Sequence, residues 1–126
     1  MKRRKYGNRK VKYDGHTFDS QAEYSRYLDL KLLEKAGKIS DLRLQVPFIL
    51  ADGVKYSDAK RATPAMKYYA DFVYKDHDGL QVVEDVKGVK TALYKAKRHL
   101  MLANLGIEIQ EIKKCCLLYT SDAADD

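Results

Sequence analysis

Two short stretches hold the residue types that acid and metal chemistry needs: KYYADFVY at 67–74, with Asp71 inside it, and LQVVEDVK at 80–87, ending in Asp85, Val86 and Lys87. Side chains alternate faces along a strand, so Tyr69, Asp71 and Val73 would share one face, and Val83, Asp85 and Lys87 one face of the next strand. Both stretches are rich in Tyr, Val and Phe, and KDHDG between them supplies the turn dipeptide Asp78-Gly79, so the spacing predicts a hairpin. With its loop centred near His77 or Asp78, Asp71 falls opposite or diagonal to Asp85. Two carboxylates and one amine then converge.

The neighbours Ala70, Phe72, Val82, Val83 and Val86 imply strands buried on both faces, where an ionised acid is costly unless a cation compensates it. Lys87 can neutralise one carboxylate. A hard divalent cation, Mg²⁺ with Mn²⁺ as a substitute, would accommodate the second, with oxygen ligands from Asp71, Asp85 and the Val86 carbonyl. Such an ion polarises a phosphoryl oxygen and lowers the pKa of bound water, while a nearby ammonium orients or deprotonates that water. The chemistry expected is phosphodiester hydrolysis. Glu84 is the rival to Asp85: it points to the other strand face, and a bulge would swap their roles.

The elements that must position these groups are legible around them. SQAEYSRYLDLKLLEKAGK opens with Ser20 and, three residues on, Glu23, a capping box, and closes at Gly37, which predicts a helix over 20–36. Glu23 shares a helix face with Tyr27 and Leu30, so it should point inward, although the capping box alone would account for it. Leu42, Leu44, Val46, Phe48 and Leu50 recur at period two, a half-buried strand in which Pro47 suggests an edge or a bulge. Asp52-Gly53, Ser57-Asp58 and Thr63-Pro64 mark 51–66 as loop, with a short strand at Val54 to Tyr56. A second helix over 90–105, with Leu93, Ala96, Leu100 and Ala103 at helical spacing, ends at Gly106 before a last strand at 107–112. His16, His77 and His99 lie singly, without partners at metal spacing.

A chain of 126 residues, 45% hydrophobic and 33% charged, is sized for one domain with a single core and is too apolar to be mainly disordered. No apolar run approaches the roughly 20 residues that span a bilayer, so membrane insertion and secretion are not expected and a cytoplasmic setting is. Formal charge is +6, with a basic arm at Lys2, Arg3, Arg4, Lys5, Arg9, Lys10 and Lys12, the balance of a protein that meets a polyanion. On the second helix Lys95, Lys97 and Arg98, with Lys90 at its start, are either a solvated face or phosphate contacts. The final CLLYTSDAADD resembles a translated transposon-type sequencing adapter, which would make the cysteine pair uninformative. Removing it, with Asp122, Asp125 and Asp126, raises the formal charge from +6 to +9. The expected organisation is a basic arm and short strand region over 1–19, a domain over 20–114, and a non-native tail over 115–126.

An Asp on one strand and Asp-x-Lys on the next, between two helices, resembles the PD-(D/E)XK nuclease superfamily. More narrowly, FDSQAEYSRYLDLKLLEKAGKI, LRLQVPFIL, YYADFVY and VVEDVKG resemble a phage-associated domain family of unassigned function placed in that superfamily. The resemblance implies an α/β fold with a restriction-endonuclease-like core, a mixed central sheet in the order α-β-β-β-α-β with flanking helices. It further implies Asp71 and Asp85 as metal ligands, Lys87 as the catalytic lysine and Glu23 as an accessory acid, with supporting polar positions at Gln45 and Lys97. Ala70 stands where the superfamily's nominal motif has proline, and no ligand is lost by it. The function implied is Mg²⁺-dependent cleavage of DNA in phage recombination or junction processing. A non-catalytic DNA-binding module of the same fold and an RNA-directed nuclease are the alternatives. A homodimer would suit symmetric junction cleavage, and no sequence feature fixes the oligomeric state.

Overall fold

The computed structural model describes residues 10–13, 15–87 and 90–113, without the side chains of Val11 and Lys87. A short antiparallel hairpin, β1 (Val11–Tyr13) and β2 (His16–Phe18), leads into α1 (Gln21–Lys35). Next come β3 (Ser40–Ala51), β4 (Met66–Lys75) and β5 (Gln81–Lys87), then α2 (Ala92–Leu105) and β6 (Gln110–Lys113). The last four strands form one sheet in the order β3-β4-β5-β6, antiparallel except for the parallel β5–β6 pair. A parallel pair needs a long crossover, and α2 supplies it. The architecture is mixed α/β, a four-stranded mixed sheet with two helices, and the expected element order follows the small hairpin.

Local chemistry fixes the helix ends. Ser20 is extended, and its Oγ accepts the Glu23 N–H at 3.2 Å, satisfying one of the first-turn donors of α1. Thr91 does the same for α2, accepting the Tyr94 N–H at 3.1 Å, so the helix begins at Ala92 and Lys90 precedes it. Gly106 takes φ 70, and the N–H groups of Gly106 and Ile107 return to Leu102 and Met101. That left-handed stop consumes the first residues of the expected final strand, so β6 begins only at Gln110, while Ile109 is buried in the core. The strand expected at Val54 to Tyr56 is a single bridge, Val54 to Thr63. Among the described residues no helix is long and apolar enough to cross a membrane.

Each face of the sheet carries its own core. Leu50, Tyr68, Ala70, Val73 and Val83 pack with Tyr94 and Met101 of α2, joined by Val46 and Phe48. Phe72 and Tyr74 pack with Tyr27 and Leu30 of α1 and with Phe18 of the hairpin, joined by Leu42, Leu44, Val82 and Val86. Phe18 thus joins the small hairpin to the α1-side core.

This assignment breaks the simple alternation expected from the sequence. Leu42 and Leu44 lie on the α1 side, yet Val46, Phe48 and Leu50, at the same parity, lie on the α2 side. On the partner strand Tyr68 and Ala70 face α2, whereas Phe72 and Tyr74 face α1. Both strands change faces between the pairs Leu44↔Phe72 and Val46↔Ala70, at Gln45 and Asp71. Gln45 has φ 49, and a left-handed residue inserted in a strand inverts the pleat. Tyr69 and Val73 therefore do not share a face: Val73 is fully buried against the α2-side core, while Tyr69 projects from the other face, 53% exposed.

Candidate active site

The change of faces is where the acids meet. Glu23 enters from the first turn of α1, buried at 5% exposure. One carboxylate oxygen accepts the N–H of Asp19, the residue before the Ser20 cap, at 3.3 Å, and the other accepts the Gln45 side-chain amide at 3.1 Å. The helix start explains only half of this side chain. The same Gln45 nitrogen also donates to Asp71 Oδ1 at 3.3 Å, so one amide spans two carboxylates. Burial first, and the negative charge of Asp71 second, push the Glu23 carboxyl up to about 7, against the pull of the Asp19 N–H and the Gln45 amide.

Asp71 reaches sideways into the sheet. The β4–β5 ladder has Phe72↔Glu84 as its last pair, and one step beyond it the Val86 N–H donates to Asp71 Oδ2 at 2.8 Å. Asp85 neighbours this contact on β5 and is buried at 3% exposure, its carboxylate accepting the Tyr68 hydroxyl. Burial, then that hydrogen bond and the charges of Asp85 and Asp71, drive the Tyr68 phenol far above its ordinary pKa. Tyr68 is thus a permanent donor to Asp85.

Glu84 does something different. Strand β5 alternates regularly, Val82 and Val86 packing on the α1 side and Val83 on the α2 side, so Glu84 and Asp85 point to opposite faces without a bulge between them. Arg26 of α1 grips Glu84 with two bonds, 2.8 Å from Nε and 2.6 Å from a terminal nitrogen, and Tyr74 donates to it at 2.5 Å. This fork-shaped pair, with Glu84 at 2% exposure, clamps α1 to the centre of the sheet. The geometry leaves Asp85, not Glu84, beside Asp71.

Glu23, Gln45, Asp71, Val86 and Asp85 are therefore joined by the fold, through hydrogen bonds or adjacency on β5. Lys87 is the last residue of β5, its backbone opposite Lys113, and its side chain lies outside the described residues. Arg3 and Arg4 of the basic arm also lie outside them. Of the cations near α2, Lys90 and Arg98 both contact Glu111 of β6, at 2.9 and 3.7 Å, and Tyr94 donates to the same carboxylate at 2.7 Å. Burial would raise the Glu111 pKa, but these three partners outweigh it and hold it low. Lys95 is exposed and Lys97 half-buried.

The donors gathered here are carboxylate oxygens, the chemistry of a hard divalent cation. Two acids share one neutral amide, and Glu23 is pushed towards protonation, so Gln45 leaves negative charge that a cation would offset. Among the described residues no three acidic, histidine or cysteine side chains yet stand close enough to hold an ion together. The donor set fits; the Gln45 amide occupies the space between Glu23 and Asp71.

Arg26 and the donor role of Tyr68 escape a reading of the sequence. Arg26 lies three residues beyond Glu23 on the same helix, a position that hints at an inward charge only once an acid on the facing strand is known.

Fold and site together define an α/β protein with a buried acidic centre where α1 meets the interrupted β3–β4–β5 sheet. The chain belongs to the family described as protein of unknown function (DUF1064), whose model matches residues 3–120. No curated protein matches it.

Proposed function

We propose that this protein is a metal-dependent endonuclease of the PD-(D/E)XK kind, hydrolysing DNA phosphodiester bonds in recombination or junction processing. The observation that carries the reading is the Val86 N–H bond to Asp71, which sets Asp71 beside Asp85 at the point where β4 and β5 part. Support comes also from the order α1-β3-β4-β5-α2-β6, the order that the resemblance to this superfamily implies. Phage encoding would place the protein in a bacterial host cytoplasm, with its substrate.

In this reading Asp71, Asp85 and the Val86 carbonyl would hold Mg²⁺ or Mn²⁺, with Glu23 as the accessory acid. The bound ion would polarise the scissile phosphate and make water a competent nucleophile at neutral pH. The protein's own groups prepare the site. Tyr68 fixes the Asp85 carboxylate, Gln45 aligns Glu23 with Asp71, and the Arg26–Glu84 clamp holds β5 against α1 so that Asp85 faces away from that helix. Lys87, closing β5, supplies positive charge for the nucleophile and the developing phosphorane.

The test incubates the full chain with linear, branched and single-stranded DNA and with RNA, with and without Mg²⁺, beside Asp85→Ala and Glu84→Gln. Metal-dependent cleavage of DNA that Asp85→Ala abolishes and Glu84→Gln retains per folded molecule is expected. Absence of metal-dependent cleavage of any substrate, or full activity in Asp85→Ala, overturns the proposal. Cleavage confined to RNA would replace DNA as the substrate.

A further inference from the structure

The change of faces at Gln45 has a second product besides the acidic centre. On the α1 side of the sheet, Leu42, Leu44, Phe72 and Tyr74 are covered by α1 and the β1–β2 hairpin. Past Gln45 and Asp71 the same face is carried by Pro47, Ile49, Lys67 and Tyr69, and none of the described residues covers it: all four are exposed, Ile49 and Tyr69 each to 53%. They are cross-strand partners, Pro47 opposite Tyr69 and Ile49 opposite Lys67, so they form one continuous ledge. Pro47 is two residues from Gln45 and Tyr69 two residues from Asp71, which starts the ledge at the edge of the acidic centre.

Resting on the nuclease reading above, we propose that this ledge seats an unpaired nucleotide of the DNA strand, its base stacked on Tyr69 and its phosphate met by Lys67. Among the described residues the Tyr69 side chain makes no ring contact or hydrogen bond, and at 53% exposure much of its aromatic face is open. A half-exposed tyrosine beside Ile49 and Pro47 offers the apolar platform on which any base can stack, and stacking does not depend on sequence. The charge is complementary: Lys67 lies within the ledge, and the connection from β3 to β4 that continues it, pinned by the Val54–Thr63 bridge, carries exposed Lys55, Lys60 and Arg61 against Asp52 and Asp58. A base inside a duplex is already stacked on its neighbours and cannot present its face to Tyr69. A strand end, a flap or a branch point can. The ledge therefore selects substrates with unpaired nucleotides next to the cleaved bond.

The experiment measures binding without metal, so that it is independent of cleavage. The full chain in EDTA is titrated against a fluorescein-labelled oligothymidylate and against a blunt duplex, and anisotropy is recorded. Tyr69→Ala should weaken oligothymidylate binding by about tenfold or more while leaving duplex binding unchanged. Tyr69→Phe should bind as the parent does, and Lys67→Ala should reduce the salt dependence. Leu32→Ala, at an exposed site on α1, is the control that should change nothing. Tyr69→Thr keeps strand propensity and gives the same reading should Tyr69→Ala fail to fold. A parent that does not bind oligothymidylate, a Tyr69→Ala or Tyr69→Thr protein that binds it equally well, or an equal loss on duplex overturns the proposal. Cleavage assayed separately with Mg²⁺ keeps the two readings apart: ledge-dependent binding without cleavage sinks only the nuclease, and cleavage indifferent to Tyr69 sinks only the ledge.

Discussion

Burial sets the protonation of Glu23, and that has a measurable consequence for stability. The unfolded side chain titrates at its ordinary 4.5, whereas the folded one keeps its proton until about 7. Between these values the folded state binds more protons than the unfolded state, so this residue's contribution is present below pH 4.5 and is lost as pH rises through 7. Urea melts of the parent should show stability falling across that window, and Glu23→Gln should flatten the profile by an amount on the order of 2 kcal/mol. A Glu23→Gln profile parallel to the parent's would show that Glu23 titrates alike in the folded and unfolded states. Glu84 poses the complementary case, because Arg26 compensates a carboxylate that water hardly reaches. Arg26→Ala should destabilise by about 3 kcal/mol, while Arg26→Met combined with Glu84→Leu should recover most of that loss in the same melts. A mild Arg26→Ala phenotype would mean that Glu84 finds another partner.

At the scale of elements, the helices were legible because their ends are written in local chemistry. Ser20, Gly37 and Gly106 mark ends within a residue or so of those observed, as caps involve neighbours in sequence. The hairpin register was legible too, since the Asp78-Gly79 turn fixes which residues of β4 and β5 face one another, and Asp71 and Asp85 follow the last pair. What the sequence hid was the change of faces. Leu42 to Leu50 alternate without interruption, and that pattern is identical for one half-buried strand and for a strand whose halves serve two cores on opposite faces. Only the backbone at Gln45 distinguishes them, and glutamine carries no signal for φ 49. The left-handed conformation disfavours a side chain bearing Cβ, and the two hydrogen bonds to Glu23 and Asp71 hold it there. Gln45→Gly and Gln45→Ala both delete those bonds, yet only glycine relieves the backbone, so Gln45→Gly should be the more stable of the two by about 1 kcal/mol. Equal stabilities would place Gln45 in an ordinary strand conformation and remove the explanation for the ledge.

At the scale of the whole molecule, the formal charge of +6 says less about nucleic-acid contact than the pairing of individual cations does. Lys90 and Arg98 read from sequence as candidate phosphate contacts, but both contact Glu111, whose carboxylate is held ionised by them and by Tyr94. An ion-paired lysine or arginine displaces fewer counterions from a nucleic acid than an unpaired one, because part of its field is already spent on the carboxylate. Glu111→Gln keeps the size of the side chain and one acceptor oxygen while removing the charge that pairs both cations. If the α2 side of the sheet meets the phosphate backbone alongside the acidic centre, Glu111→Gln should tighten duplex binding several-fold at low salt and steepen the dependence of log K on log salt by about one to two units. Anisotropy titrations in EDTA over a range of salt concentrations measure both. A parallel salt dependence with unchanged affinity would take Lys90 and Arg98 out of the interface and leave the phosphate contacts to other cations, Lys67 of the ledge among them.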